Sequence, residues 1–195
     1  LQAARVVSEE TPVMVIGHGA QGVREAIGDA AKYVIQVERL GTGHAVQQAE
    51  SALKDDTDLI LVSAADMPLL SGDTLSKLVE TQKANSGPMT MLTIVTDDPR
   101  GFGRVVRGDD GGVTAIVEEA DATLEQQTIK ELNVGAYCFD ANWLWDALAR
   151  IPLSAKGEYY LTDTVGLAVE AGLRVAAIML EDAVEAIGVN TRIHL

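Results

Sequence analysis

The sequence predicts an α/β domain, a mostly parallel sheet flanked by helices and carrying an inserted β-hairpin lid. Three observations predict it. Leu59-Ile60-Leu61-Val62 is an uninterrupted apolar run that gives way at once to small residues and a turn at Asp66-Met67-Pro68. So short a run suits a strand buried on both faces of a parallel sheet. Strand-like and helix-like segments alternate from residue 11 to residue 84, the rhythm of right-handed β-α-β winding. Past Met89 the rhythm changes, and Arg104–Arg107 and Val113–Glu118 flank Gly108-Asp109-Asp110-Gly111-Gly112, which reads as a hairpin.

In order along the chain, Leu1–Glu10 reads as the end of a helix, and Thr11–Gly17 as an apolar strand stopped at Gly17-His18-Gly19. Gln21–Gly28 is a short helix and Tyr33–Gln36 a second strand. Thr42–Lys54 is a helix with Ala45, Val46, Ala49 and Leu53 along one face. The Asp58–Val62 strand follows, then a helix over Ser71–Ala84 that turns Leu75, Leu78 and Val79 inward. Met89–Thr96 is a strand, the hairpin comes next, and Leu132–Phe139 is a strand again. Asn142–Ala149 is a helix carrying Trp143 and Trp145; Tyr160–Ala171 is a helix capped by Thr162 or Asp163; Arg174–Leu180 is the last strand. There is no internal repeat, low-complexity segment or dividing linker, so residues 1–195 are expected to form one domain.

Composition narrows the function classes. The net charge is −14, against nucleic acid or an anionic membrane as partner. It leaves room for one phosphate-binding pocket. Cys138 is the only cysteine, so no intrachain disulfide can form, and a reducing cytoplasm is the expected setting. No apolar run approaches the ~20 residues of a membrane helix. No G-x-S-x-G or Cys/His cluster is present, and His18, His44 and His194 have no metal-ligand spacing, so no protein nucleophile or covalent intermediate is expected.

Candidate chemistry lies at strand ends. Asp66 emerges past the carboxyl end of a buried strand, where open α/β sheets bind ligands; it can hold a divalent metal against a phosphate or cap a turn. Gln36 precedes Leu40-Gly41-Thr42-Gly43-His44, where two glycines permit close approach of a flat ligand or make a tight turn with a Thr cap. Gly101-Phe102-Gly103-Arg104 offers backbone N–H groups beside an aromatic ring, or a bend into the hairpin. Glu118 and Asn133, at the end of one strand and the start of another, can face one cleft or lie on the surface. Asn190 is a neutral oxygen donor of the kind Mg²⁺ accepts, or a helix cap.

Several pieces occur in one order: Leu40-Gly41-Thr42-Gly43-His44-Ala45, Asp66-Met67-Pro68-Leu69, Asp98–Arg104, Ile116-Val117-Glu118, Glu131–Gly135, Gly157–Asp163 and Gly188-Val189-Asn190. This series closely resembles the uridyltransferase domain of the bacterial bifunctional UDP-N-acetylglucosamine pyrophosphorylases/glucosamine-1-phosphate acetyltransferases, over nearly the whole chain. The resemblance implies a Rossmann-like nucleotide-diphospho-sugar transferase fold. It implies Mg²⁺-dependent formation of UDP-N-acetylglucosamine and pyrophosphate from UTP and N-acetylglucosamine 1-phosphate, for cell-wall precursors. By the same resemblance Gln36 and Gly41 hold uracil with Thr42 beside them, Asp66 and Asn190 ligate Mg²⁺, and Gly103, Glu118 and Asn133 bind the sugar. The family's opening strand, Gly-rich G-x-G-T-R loop and Pro-Lys pair have no counterpart in these residues, and its Tyr-Gly before the metal Asp is Ala64-Ala65. The expectation is therefore a partial domain of low activity on its own. The family's β-helix acetyltransferase domain has no counterpart in these residues either, so acetyl transfer is not expected from them; the resemblance implies a homo-oligomer for the full-length protein, since the family's trimer depends largely on that domain. The alternatives are a non-catalytic nucleotide-sugar binding or regulatory domain, and a nucleotidyltransferase for a different sugar.

Overall fold

The computed structural model describes residues 1–54, 57–99 and 101–189. The first half contains α1 (Gln2–Val7), β1 (Val13–Ile16), α2 (Ala20–Ile27), β2 (Lys32–Ile35), α3 (Thr42–Gln48), α4 (Glu50–Leu53), β3 (Leu59–Ser63), α5 (Gly72–Ala84) and β4 (Met89–Val95). The second half contains β5 (Arg104–Arg107), β6 (Val113–Val117), β7 (Glu131–Asp140), α6 (Ala141–Leu148), α7 (Asp163–Glu170) and β8 (Val175–Met179).

β7 is the spine of a six-stranded sheet. β4 runs antiparallel along one edge of it, and β8 pairs parallel with the far side of β4. The other edge of β7 is shared: β3 takes residues 136–140 antiparallel, and β5 meets it at Leu132, carrying β6 outward. β3, β4, β5 and β8 thus point one way and β6 and β7 the other, so the six-stranded sheet is mixed, with one parallel pair where mostly parallel pairing is expected. The chain still alternates strands and helices up to α5, but β7, from far downstream, inserts between β3 and β4. β1 and β2 form a separate parallel pair in register from Val13↔Lys32 to Ile16↔Ile35. The expected hairpin appears within one residue of its bounds, built onto β7 as an extension of the sheet.

Both faces of the central strands β4 and β7 are covered, and most of their residues are buried. On β7, Leu132, Val134, Ala136 and Cys138 face Leu75 and Leu78 of α5, while Tyr137 and Phe139 face Leu144, Trp145, Leu148 and Val165 of α6 and α7. The period of two sends successive side chains to opposite cores. Burying a side chain such as Leu78, fully enclosed, stabilises by about 1.5–3 kcal/mol relative to exposure. The helices start where cap residues stand. Ser71 Oγ accepts from Thr74 N at 3.1 Å, and Asp140 Oδ1 from Trp143 N at 2.8 Å, each worth about 1 kcal/mol.

Two elements differ from expectation. The helix expected over Thr42–Lys54 is broken at Ala49, which is buried and C-caps α3 before α4 begins. The helix expected from Tyr160 begins at Asp163; Asp163 N donates to Tyr160 O at 3.2 Å, leaving Tyr160–Thr162 as a turn that enters the cleft wall.

Candidate functional site

The site forms where β3 and β5 part along one edge of β7. Between their pairings, Asn133–Gly135 meet single backbone groups in place of a strand. Asn133 N donates to Gly103 O at 2.9 Å, and Ala64 N donates to Gly135 O at 3.3 Å. The loop leaving β3 toward Asp66 and the loop entering β5 through Gly103 diverge from this gap. A crevice outside the carboxyl end of a strand, where neighbouring connections part, is a natural ligand position.

Gly103, Glu118 and Asn133 are brought together here. A Cβ on Gly103 would lie 2.8 Å from Ile116 Cγ2, so a side chain there would displace Ile116, and 3.7 Å from Glu118 Oε2, so the carboxylate lies beside this glycine. Asn133 is buried, 7 % exposed; its Nδ2 donates to the Tyr137 hydroxyl at 2.6 Å and its Oδ1 accepts from Gly135 N at 3.2 Å. One amide hydrogen and one lone pair remain. Glu118 Oε1 accepts from the Thr162 hydroxyl at 2.7 Å, and Oε2 has no donor among the described residues. A cleft of about 680 Å³ opens alongside, lined by Gly101, Arg104, Glu118, Lys156 and Tyr160 among others. It reaches Glu118, whereas Gly103 and Asn133 lie outside its lining. Burial pushes the Asp163 carboxyl above the usual carboxylate range, and the neighbouring charges of Glu118 and Asp121 push it the same way. Burial likewise holds the Tyr137 hydroxyl in its protonated form.

The Gly41-Thr42-Gly43 turn is zipped to the segment 158–161. Tyr159 N donates to Leu40 O at 2.7 Å and Gly43 N to Tyr159 O at 2.8 Å; Leu161 N donates to Thr42 Oγ1 at 3.0 Å. Thr42 therefore caps a neighbouring turn instead of its own helix. Gln36, just past β2, donates through Nε2 to Gly41 O at 3.1 Å and lies 3.0 Å from His44 Nδ1. The carboxamide is held against the turn through its nitrogen, with its oxygen free of partners among the described residues. Through Thr42, Leu161 and Thr162, this turn is connected to Glu118.

Asp66 is exposed, three residues past the end of β3. Its carboxylate has no partner among the described residues, and its backbone oxygen accepts from Val189 N at 2.7 Å. The chain thus returns to Asp66 at Val189; Asn190 itself lies outside the described residues. Among the described residues no cluster of three or more His, Cys, Asp or Glu side chains is placed to hold a metal. A bare carboxylate at a strand end does suit Mg²⁺, which takes one or two protein oxygens and keeps waters and phosphate oxygens for the rest.

Three residues at the site have roles that the sequence does not show. Tyr137 reads as an ordinary strand aromatic. Thr162 reads as a helix cap. Arg104 reads only as the first residue of the hairpin, yet its side chain is 2 % exposed; its guanidinium donates to Phe102 O and meets Glu119 Oε2 at 3.3 Å, tying the strand that follows Gly103 to the residue after Glu118. The Gly-Phe-Gly-Arg order is the one signal that points to Arg104.

Fold and crevice together define an α/β domain with a ligand crevice where the connections of its sheet part. The nucleotidyl transferase family model matches residues 5–188, and the chain belongs to that family. It is similar to the bifunctional protein GlmU of Heliobacterium modesticaldum, at 48 % identity over 185 residues, covering 94 % of this chain and 40 % of that protein. The bifunctional protein GlmU of Exiguobacterium sp. is 45 % identical over 184 residues, covering 94 % and 41 % respectively. That of Streptococcus agalactiae is 42 % identical over 195 residues, covering 100 % and 42 %. The chain spans about two fifths of the length of these curated relatives.

Proposed function

We propose that this domain joins UTP and N-acetylglucosamine 1-phosphate to give UDP-N-acetylglucosamine and pyrophosphate, with Mg²⁺, in the cytoplasm and for cell-wall precursor synthesis. The observation that carries the reading is the convergence of Gly103, Glu118 and Asn133 at the open edge of β7, linked to the Gln36–Thr42 turn. The long similarity to bifunctional GlmU proteins supports it.

In this reading Gln36 and Gly41 receive uracil. Gln36 Nε2 is occupied by Gly41 O, so its oxygen accepts from an imide N–H such as N3–H of uracil, which cytosine lacks. Thr42 flanks the nucleotide sugar. Glu118 Oε2 accepts from a sugar hydroxyl, and the spare amide hydrogen and lone pair of Asn133 serve a second polar group of the sugar. Asp66, with Asn190, would hold Mg²⁺, which would supply neutralisation of phosphate charge there. No side chain need act as nucleophile, because transfer of this kind depends on positioning and charge neutralisation. The sugar phosphate oxygen attacks the α-phosphorus in line, and pyrophosphate leaves.

The test is pyrophosphate release by the full-length protein with UTP and a panel of sugar 1-phosphates. The expected result is turnover that requires Mg²⁺ and favours N-acetylglucosamine 1-phosphate, with Asp66→Ala lowering kcat/KM by about 100-fold or more. Binding of UDP-N-acetylglucosamine without turnover would replace this reading with the regulatory alternative. Preference for another sugar phosphate would correct the sugar alone.

A further inference from the structure

Thr162 occupies the N-cap position of α7, where a threonine oxygen ordinarily accepts from an N–H of the first helical turn. It makes no such bond. The residue is 5 % exposed, and its hydroxyl donates to Glu118 Oε1 at 2.7 Å, across 44 residues of sequence. Its backbone is already helical, φ −61° and ψ −24°, so the hydroxyl serves no cap and is committed to a carboxylate far along the chain.

The surroundings explain what the bond does. Asp163, next along the chain from Thr162, is close enough to Glu118 and Asp121 for their charges, after burial, to raise its carboxyl above the usual range. A like charge disfavours an ionised carboxylate, and a hydrogen bond donated to it favours that form. Thr162 is the one donor to Glu118 among the described residues, and it takes Oε1, so Oε2 is left turned toward Gly103. The backbone that carries Thr162 is rigid: Leu161 N is tied to Thr42 Oγ1 at 3.0 Å, and Val165 N donates to Thr162 O at 3.1 Å.

We infer that Thr162 is a positioning residue for the sugar subsite, holding the Glu118 carboxylate in the rotamer that receives a sugar hydroxyl and setting its place relative to the Gly41–Thr42 turn. The inference rests on the proposed function, since it takes Glu118 as the sugar's acceptor.

The test is steady-state kinetics of the full-length protein with UTP and N-acetylglucosamine 1-phosphate. Loss of a hydrogen bond to a charged group predicts that Thr162→Val raises the KM for the sugar phosphate about tenfold while the KM for UTP stays within about twofold. Thr162→Ser keeps the donor and recovers the sugar KM to within about threefold of wild type. In a Glu118→Ala background, Thr162→Val adds less than about twofold, because the two act as one unit. Thr162→Ala removes the same donor without demanding space and carries the same expectation if the valine variant does not fold. An unmoved sugar KM, equal rises in both KM values, or additive losses on Glu118→Ala overturn the inference while leaving the proposed function standing. A wild-type protein that turns over no UTP with any sugar phosphate overturns the proposed function, and the inference falls with it.

Discussion

Gly41 and Gly43 are glycines because another stretch of chain lies where their side chains would be. Gly41 has φ +97°, and a Cβ there would sit 2.6 Å from Tyr159 O; at Gly43 it would sit 2.3 Å from Ile151 Cδ1. The turn therefore carries its proposed ligand role on top of a packing role that any substitution at either glycine would break first. Asp163 shows the opposite situation, a side chain tolerated at a cost. Burial, then the charges of Glu118 and Asp121, raises its carboxyl pKa, so the folded state holds this proton more tightly than the unfolded state. Stability from this group is then full below the ordinary carboxylate range and is lost as pH rises from the unfolded value through the folded one. Asp163→Asn removes that loss. Thermal unfolding of the ligand-free protein should give a higher Tm for the variant at neutral pH, with the gap closing on acidification below the ordinary aspartate range. A gap that is unchanged across the titration would rule out the charge as its cause.

At the scale of elements, what is local in sequence was legible and what is distant was not. The apolar run Leu59–Val62, the Ser71 start of α5 and the hairpin around Gly108–Gly112 all act over a few residues, and each lies within a residue or two of its expected place. The break at Ala49 was hidden because helical spacing continues through it. The antiparallel placement of β7 between β3 and β4 was hidden because no local pattern records which edge a strand joins. For the same reason Glu118 and Asn133 were legible as candidates only at strand ends, and Thr162, which holds Glu118, was legible only as a cap. The hairpin is fastened to β7 chiefly by its first residue and by Arg107, whose Nε and Nη2 donate to the two Glu131 oxygens at 2.7 and 2.6 Å. That bond holds the Glu131 carboxyl below its usual range, so its stabilisation is present above the unfolded pKa and fades as pH falls through the folded value. Lysine cannot reproduce a two-pronged contact. Because Arg107 is about a third exposed, Arg107→Lys should cost only about 0.5–1 kcal/mol at pH 7 by denaturant unfolding, with less cost at pH 3. Equal cost at both values would mean the contact contributes through packing, not charge.

For the whole molecule, the decisive fact is that the candidate site draws on segments spread from Gln36 to Val189 and on two separate sheets. The β1–β2 pair delivers the proposed uracil end, and the edge of β7 delivers the proposed sugar end; the Gly41–Tyr159 zipper joins them. A ligand that touches both ends must therefore resist their separation, while a ligand that touches one end resists it less. Binding to the native state alone stabilises by RT ln(1 + [L]/Kd), about 2.7 kcal/mol at one hundred times Kd. For a domain of this size that corresponds to a Tm rise of roughly 5–10 °C. UDP-N-acetylglucosamine should reach this rise at a concentration where UDP and N-acetylglucosamine 1-phosphate, each alone, give less than half of it. The net charge of −14 opposes an anionic ligand, and long-range repulsion of that kind is screened by salt and countered by divalent cations. Chelating Mg²⁺ should therefore shrink the shift for UDP-N-acetylglucosamine, and added monovalent salt should restore only part of it. Equal shifts from the nucleotide sugar and from UDP would show that the edge of β7 takes no part in binding, and the sugar end of the site would have to be sought elsewhere in the fold.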